Sequence, residues 1–189
     1  MSKPSKQESA QALQDFKEIL DQLKVRFFLD GGTALGAYRE KDFCEDDQDD
    51  IDLTTLGDDK MLDIVELAGT KGFTAYKAWK KKGQTTSQIA MKRNGVKIDL
   101  MFKEIKKKEA WWTVYKRDGV VYKSLNKKHY KKRGKPPQVN FYGETYNLPY
   151  DIEEYLFTRY GNWQTPVHRS KYSCYTSDQC IKENYETIQ

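Results

Sequence analysis

Asp50 and Asp52 are the residues whose type and spacing first suggest chemistry. They flank Ile51 in Asp50-Ile51-Asp52-Leu53. On a strand, residues i and i+2 project from one face, so both carboxylates aim at one spot. Carboxylates that close repel each other and raise their own pKa values unless a cation sits between them. Magnesium (or manganese) does this in phosphoryl-transfer sites, where it takes one or two carboxylates together with substrate phosphates. Solvated surface acids are the alternative, yet Ile51 and Leu53 on the opposite face imply an inner strand. A third carboxylate, Asp99, lies in Val96-Lys97-Ile98-Asp99-Leu100-Met101-Phe102, apolar at 96, 98, 100, 101 and 102. An unpaired acid there would be costly to bury. A strand beside Asp50 and Asp52 would let Asp99 complete a three-carboxylate metal cluster.

Upstream stands Leu29-Asp30-Gly31-Gly32-Thr33-Ala34-Leu35-Gly36-Ala37-Tyr38-Arg39. Consecutive glycines between a strand and a helix let the backbone approach a bound group closely. The free N–H groups of the next helical turn then face that group, an arrangement that suits a phosphate. Gly31 and Gly32 would supply the backbone, Thr33 a hydroxyl and Arg39 a guanidinium. A purely structural Gly-Gly turn is the other reading.

The elements that must position these residues follow from periodicity. Leu13, Phe16, Leu20 and Leu23 repeat at helical spacing, which predicts an amphipathic helix over residues 9–23. Residues 25–29 read as a buried strand entering a tight turn at Asp30-Gly31-Gly32, and residues 33–38 as a short helix after it. Residues 40–49 are a polar loop and 50–54 a strand. Asp58 and Asp59 can cap a helix to about Lys71, stopped by Gly72. Residues 73–79, 87–93 and 96–102 read as strands, with Asn94-Gly95 a type I′ hairpin signal. A second hairpin is expected from 111–115 to 120–122 around Asp118-Gly119. A basic loop follows over 127–137, then a strand at 139–142 and a helix at 151–160 ended by Gly161. The sequence has no internal repeat and no dividing linker, so residues 1–169 are expected to form one domain and 170–189 a polar tail.

Composition narrows the classes. The chain has 189 residues, 38% of them apolar, 32% charged and 13% aromatic. No stretch approaches the roughly 20 apolar residues of a membrane span. The aromatics supply buried area that a disordered chain lacks. The net charge of +5 hides a segregation of −8 over residues 1–76, +16 over 77–135 and −3 over 136–189. Acids followed by bases suggest phosphate chemistry, with carboxylates holding metal and lysines meeting an anionic partner. A solvated basic face is the plainer reading of any single lysine run. Cys44, Cys174 and Cys180 show no zinc spacing, and a Cys174–Cys180 disulfide stays open. The N-terminus leads into no apolar signal region, so a cytoplasmic location is expected, peripheral to a membrane only through a partner. Trp111-Trp112 reads as core or as an aromatic platform. Tyr160 and Trp163 are expected to pack the last helix on the sheet. His129 and His168 receive no role.

The pattern Gly31-Gly32-Thr33-x-Leu35-Gly36-x-x-Arg39, then Asp50-Ile51-Asp52, then Ile98-Asp99 resembles the nucleotidyltransferase fold superfamily. Within it, the chain is most similar to the LicD/fukutin-type family. Phe141-Tyr142-Gly143-Glu144, Leu148-Pro149, Glu153-Glu154-Tyr155-Leu156 and Tyr160-Gly161-Asn162-Trp163 with Pro166 resemble that family's closing pattern. The similarity spans roughly residues 25–167. It departs at Gln48, where the family usually has a carboxylate, and at Glu45-Asp46-Asp47, which stand in place of a Pro-Trp pair. The resemblance implies an α/β (α+β) fold, a mixed β-sheet flanked by helices, here with a β-hairpin-rich basic middle. It also implies a metal-dependent phosphotransferase that moves a phosphocholine- or alditol-phosphate-type group from a CDP-activated donor to a hydroxyl of a glycan or lipid-linked acceptor. Asp50 and Asp52 would hold the metal, and Asp99 would join them or activate the acceptor hydroxyl. Gly31, Gly32 and Thr33 would meet donor phosphates with Arg39 nearby. Two alternatives remain at this level. One is a nucleotidyltransferase of the same fold, toxin-like or modifying a small molecule, that releases pyrophosphate. The other is a non-catalytic module binding nucleic acid through residues 77–135, with steep salt dependence.

Overall fold

Ser5 sets the start of the first helix: its hydroxyl accepts from the Glu8 N–H while the Glu8 carboxylate accepts from the Ser5 N–H. The computed structural model describes residues 3–45, 47–57, 59–81, 86–106, 109–115, 121–125, 129–131, 133–167, 180–182 and 185–188. Helix α1 (Lys6–Gln22) buries Leu13, Phe16 and Leu20 of the expected stripe and Ile19 besides, while Leu23 is its C-cap. Strand β1 (Phe27–Leu29) runs into α2 (Gly31–Arg39). The glycines therefore lie inside the helix rather than in a turn ahead of it. Asp30 is the N-cap, and its carboxylate accepts the Gly31 N–H at 2.7 Å.

Strand β2 (Asp50–Leu56) leads to α3 (Met61–Thr70). The expected aspartate cap of α3 is replaced by Lys60, which makes no side-chain cap bond; Asp58 lies outside the described residues. Strands β3 (Thr74–Lys81), β4 (Thr86–Arg93) and β5 (Val96–Lys106) follow. Asn94 and Gly95 both take positive φ, +49° and +85°, as a type I′ turn requires. Strands β6 (Glu109–Tyr115) and β7 (Val121–Leu125) pair as the second expected hairpin; its turn at Asp118-Gly119 lies outside the described residues. A third hairpin, β8 (Gln138–Phe141) with β9 (Glu144–Asn147), replaces the single strand expected there. Its turn places Tyr142 and Gly143 at φ +50° and +84°. Helix α4 is Ile152–Tyr160. In the tail, β10 (Cys180–Lys182) pairs with β7 and β11 (Tyr185–Ile188) with β3.

Among the described residues the main sheet has nine strands, and its mixed part β1-β2-β5-β4-β3 carries the acids. Only β2 and β5 of these run parallel; the other pairs are antiparallel. A parallel pair needs a long crossover, and the chain supplies one through α3, β3 and β4. Strand β5 outruns its neighbours, and Glu104–Lys106 hand the sheet on to β6. Helix α1 packs on α3 and β5, and α3 on β3.

The core is rich in aromatic contacts. Phe16 meets Phe73 edge-on at 5.4 Å, Phe28 meets Tyr130 at 5.4 Å, and Phe43 meets Phe141 at 5.0 Å. Trp163 packs on Tyr38 of α2 at 5.5 Å, so its ring contact is to a helix rather than to the sheet. No helix among the described residues is long and apolar enough to cross a membrane. Phe16 is fully buried at the α1–sheet contact. Phe16→Ala is expected to lower the unfolding free energy by about 3–5 kcal/mol in a urea titration, whereas a loss below about 1 kcal/mol would contradict this packing.

Candidate active site

The parallel register of β2 and β5 places Asp50 opposite Lys97 and Asp52 opposite Asp99. Alternation along each strand then puts Asp50, Asp52, Lys97, Asp99 and Lys103 on one face. Ile51, Leu53, Ile98 and Leu100, all fully buried, take the other. One ligand oxygen from each of Asp50, Asp52 and Asp99 lies within 4.8 Å of the others. Ala90 of β4 faces Asp99 from the other side and leaves room beside it.

Burial, then the nearby Asp50, pushes the Asp52 carboxyl well above the usual range, with Arg159 opposing. Burial also raises Asp99, against the pull of Lys97. Asp99 is 8% exposed, and its Oδ1 is buried without a hydrogen-bond partner. Three hard oxygen donors around an unsatisfied carboxylate oxygen fit a magnesium-type ion. Such an ion would relieve the repulsion that raises these groups. Lys97 Nζ lies 3.0 Å from Asp50 Oδ1 and 2.6 Å from Asp99 Oδ2. On β3, a register shift between Ala75 and Lys77 leaves Tyr76 as an extra, exposed residue beside this row. Bulges of this kind commonly border sites.

The glycines serve close approach, and the nearest groups are carboxylates. Gly31 has φ +51°, and a Cβ there would lie 2.1 Å from Asp52 Oδ2. A Cβ on Gly32 would lie 2.1 Å from Asp47 Oδ2. The Gly31 N–H turns inward to Asp30 and to the Tyr155 hydroxyl, and the Gly32 N–H reaches Asp52 Oδ2 at 3.4 Å. Thr33 Oγ1 accepts the Asp52 N–H at 2.9 Å, which fixes α2 to β2. Arg39 sits at the far end of α2, about 12 Å along the axis at 1.5 Å per residue. Its guanidinium donates to the Trp163 carbonyl at 2.7 Å and pairs with Glu40. The structure thus brings Gly31, Gly32 and Thr33 to the triad and directs Arg39 toward the C-terminal segment. Cys44 donates to the Gly32 carbonyl, and burial pushes its thiol up to about 11, which keeps it protonated.

Sequence reasoning overlooked the groups beneath the triad. Asp30 is fully buried and accepts from Gly31, from the hydroxyls of Thr54 and Tyr155, and from Arg159 at 3.2 Å. Lys103, also fully buried, lies 3.4 Å from its other oxygen and 4.4 Å from the Tyr130 ring centre. Burial alone would raise the Asp30 carboxyl, but Lys103 and Arg159 hold it well below the usual range. Burial lowers Lys103 to about 8 despite Asp30. The available signal was Asp30 itself, an acid ending an apolar run and preceding a helix. Trp111 and Trp112 fall where side chains are not described; Lys127, Lys128, Lys132, His168 and Cys174 lie outside the described residues. His129 donates from Nδ1 to the Tyr150 carbonyl at 2.9 Å, a packing contact.

A mixed sheet with flanking helices and a carboxylate triad on β2 and β5 defines a nucleotidyltransferase-fold protein. The solution structure of the antibiotic-resistance factor ANT(2'')-Ia shares this fold, with a TM-score of 0.52 at 11% identity over 77% of this chain and 66% of that one. A crystal structure of ANT(2'')-Ia with adenylyl-2''-tobramycin matches at TM-score 0.42 and 14% identity, over 59% of this chain and 60% of that one. The chain therefore spans less than two thirds of either structure. No curated protein matches the chain. The model of the LicD/FKTN/FKRP family, nucleotidyltransferase domain, matches residues 24–151. The chain belongs to this family.

Lys103 makes the buried network sensitive to pH. Its folded pKa, about 8, lies below the unfolded value of 10.5. Between these values the unfolded chain binds more protons, so this group's contribution makes stability rise with pH across the window. The stability of wild type relative to Lys103→Met is expected to rise by up to about 3 kcal/mol from pH 8 to pH 10.5. Urea unfolding at several pH values checks this, and a pH-independent gap contradicts it.

Proposed function

We propose that the chain is a divalent-metal-dependent phosphotransferase. It moves a phosphate-linked group of the phosphocholine or alditol phosphate type from a CDP-activated donor to a hydroxyl of a glycan or lipid-linked acceptor. The convergence of Asp50, Asp52 and Asp99 within 4.8 Å is the observation that supports this reading most. Family membership supports the transferase class and a nucleotide donor. Residues 1–169 would be the catalytic unit and 170–189 an appendage to it. We place the activity in the cytoplasm, at a membrane only where a partner holds it there.

In this mechanism the protein positions reactants and balances charge, since phosphoryl transfer needs in-line geometry more than covalent help. Asp50 and Asp52 would hold magnesium or manganese, and Asp99 would join them or take the proton of the acceptor hydroxyl. Burial raises Asp99 and so suits it to the proton. The bound ion would neutralise the diphosphate and stabilise the leaving CMP. Gly31 and Gly32 keep α2 close enough for Asp52 to reach the site. Thr33 sets the β2 backbone at Asp52, and any contact of these three with donor phosphates adds to that role.

The decisive assay supplies CDP-choline, CDP-glycerol, CDP-ribitol or NTPs with magnesium and reads CMP or pyrophosphate. CMP release from a CDP-linked donor is expected; pyrophosphate from an NTP alone would replace this reading with nucleotidyl transfer. Salt-sensitive nucleic-acid binding without turnover would replace it with the binding module. Asp50→Ala and Asp52→Asn are each expected to lower transfer by at least about 100-fold. Because burial and the nearby Asp50 disfavour the Asp52 carboxylate in the metal-free fold, Asp52→Asn should also leave the metal-free melting temperature unchanged or higher. Full metal-dependent activity in either variant would overturn the assignment.

A further inference from the structure

The triad already contains a cation. Lys97 Nζ bridges Asp50 Oδ1 and Asp99 Oδ2 at 3.0 and 2.6 Å, and its side chain is 34% exposed. The bridge follows from backbone placement. Lys97 lies directly across from Asp50, and the Lys97 N–H donates to the Asp49 carbonyl at 2.8 Å. It also precedes Asp99 by two residues on the same face of β5. Its ammonium is thereby held over the gap between two strands, in reach of one oxygen from each acid. The remaining oxygens differ in kind. Asp99 Oδ1 is buried and accepts no hydrogen bond, while Asp52 Oδ2 accepts the long contact from the Gly32 N–H at 3.4 Å.

Two-ion sites hold their cations roughly 3.5–4 Å apart, bridged by shared carboxylates. A position bridging Asp50 and Asp99 is one that such an ion would take, and Lys97 fills it. A divalent ion needs carboxylate oxygens at about 2.0–2.1 Å, closer than an ammonium approaches, so the two do not share the same oxygen pair. We propose that Lys97 is a built-in second cation: it replaces one ion of a two-ion site, so the triad loads a single divalent ion. It also keeps Asp50 and Asp99 together before that ion arrives. This inference rests on the metal-dependent reading above.

Manganese binding to the full chain, followed by electron paramagnetic resonance and calorimetry, tests it without reference to turnover. Wild type and Lys97→Arg should each bind one Mn2+. Lys97→Met and Lys97→Gln should bind two, the second at least about tenfold tighter than any second ion on wild type. Their metal-free melting temperature should fall below wild type, and Mn2+ should raise it by more than it raises wild type. Two ions on wild type, or one ion of equal affinity on all four chains, overturns the role of Lys97 alone. Neutral variants that stay unfolded even with Mn2+ also overturn it, because the ion would then fail to replace the lysine. No Mn2+ on wild type, with Asp52→Asn indistinguishable from it, overturns the metal-dependent reading itself.

Discussion

The carboxylate of Asp30 is the constraint on which the rest of the site depends. It is fully buried at the junction of β1 and α2, where an unpaired charge would cost several kcal/mol. Its partners come from four places: the Gly31 N–H of α2, Thr54 of β2, Lys103 of β5, and Tyr155 and Arg159 of α4. Satisfying that one group therefore fixes four elements relative to one another. Helix α4 illustrates the dependence. It has nine residues and buries only Ile152, Tyr155 and Leu156. Its place is set as much by Tyr155 and Arg159 as by apolar area. Both residues lie beyond the family match at 24–151, so the network extends past the segment that the family model covers.

That network also has an electrostatic consequence for the triad. Two cations surround one anion, which leaves a surplus positive charge below Asp52. Arg159 works against the raised pKa of Asp52, and Asp52 in turn supports the charged form of Lys103. The surplus is insufficient on its own, since Asp52 and Asp99 both remain above the ordinary carboxylate range. A site poised in this way is short of positive charge and suited to bind a cation. The register of the β2–β5 pair makes it possible. A slip of one residue would send Asp99 to the face where Ile98 and Leu100 are buried. Hydrogen bonds at both ends of the pair hold that register, from the Lys97 N–H to the Asp49 carbonyl and from the Gly57 N–H to the Lys103 carbonyl.

What the sequence revealed divides along the same line between local and non-local cause. Asp50, Asp52 and Asp99 were legible because alternation within each strand declares a face. Their meeting also required a pairing that alternation does not specify. The α1 stripe and the Asn94-Gly95 hairpin are local signals and emerged as expected. Lys97 and Lys103 were hidden among the 20 basic residues of 77–135. One bridges the triad and the other is fully buried, a distinction made only by tertiary placement. The β8–β9 turn was missed because Tyr142 occupies a positive-φ position where Asn or Asp is the usual signal. The Gly31-Gly32 pair was recognised as a place of close approach, but the groups that press on it are Asp52 and Asp47.

The low apolar content takes on meaning at the same place. Phe28, Tyr130, Tyr155 and His129 form a run of edge-on contacts at 5.4, 6.3 and 5.4 Å. This run lies against the Asp30 network, with Lys103 over the face of Tyr130 and Tyr155 donating to Asp30. Aliphatic residues could fill this volume, but they could neither hydrogen-bond the carboxylate nor offer a ring face to the ammonium. They would exclude water and leave the charges without partners. The aromatics exclude water and supply partners together, which makes each charge in the network count for more than it would at a wet surface. A chain with 38% apolar and 13% aromatic residues is thus well matched to its site: the residues that build the core beneath the triad also hold the buried charges that shape it.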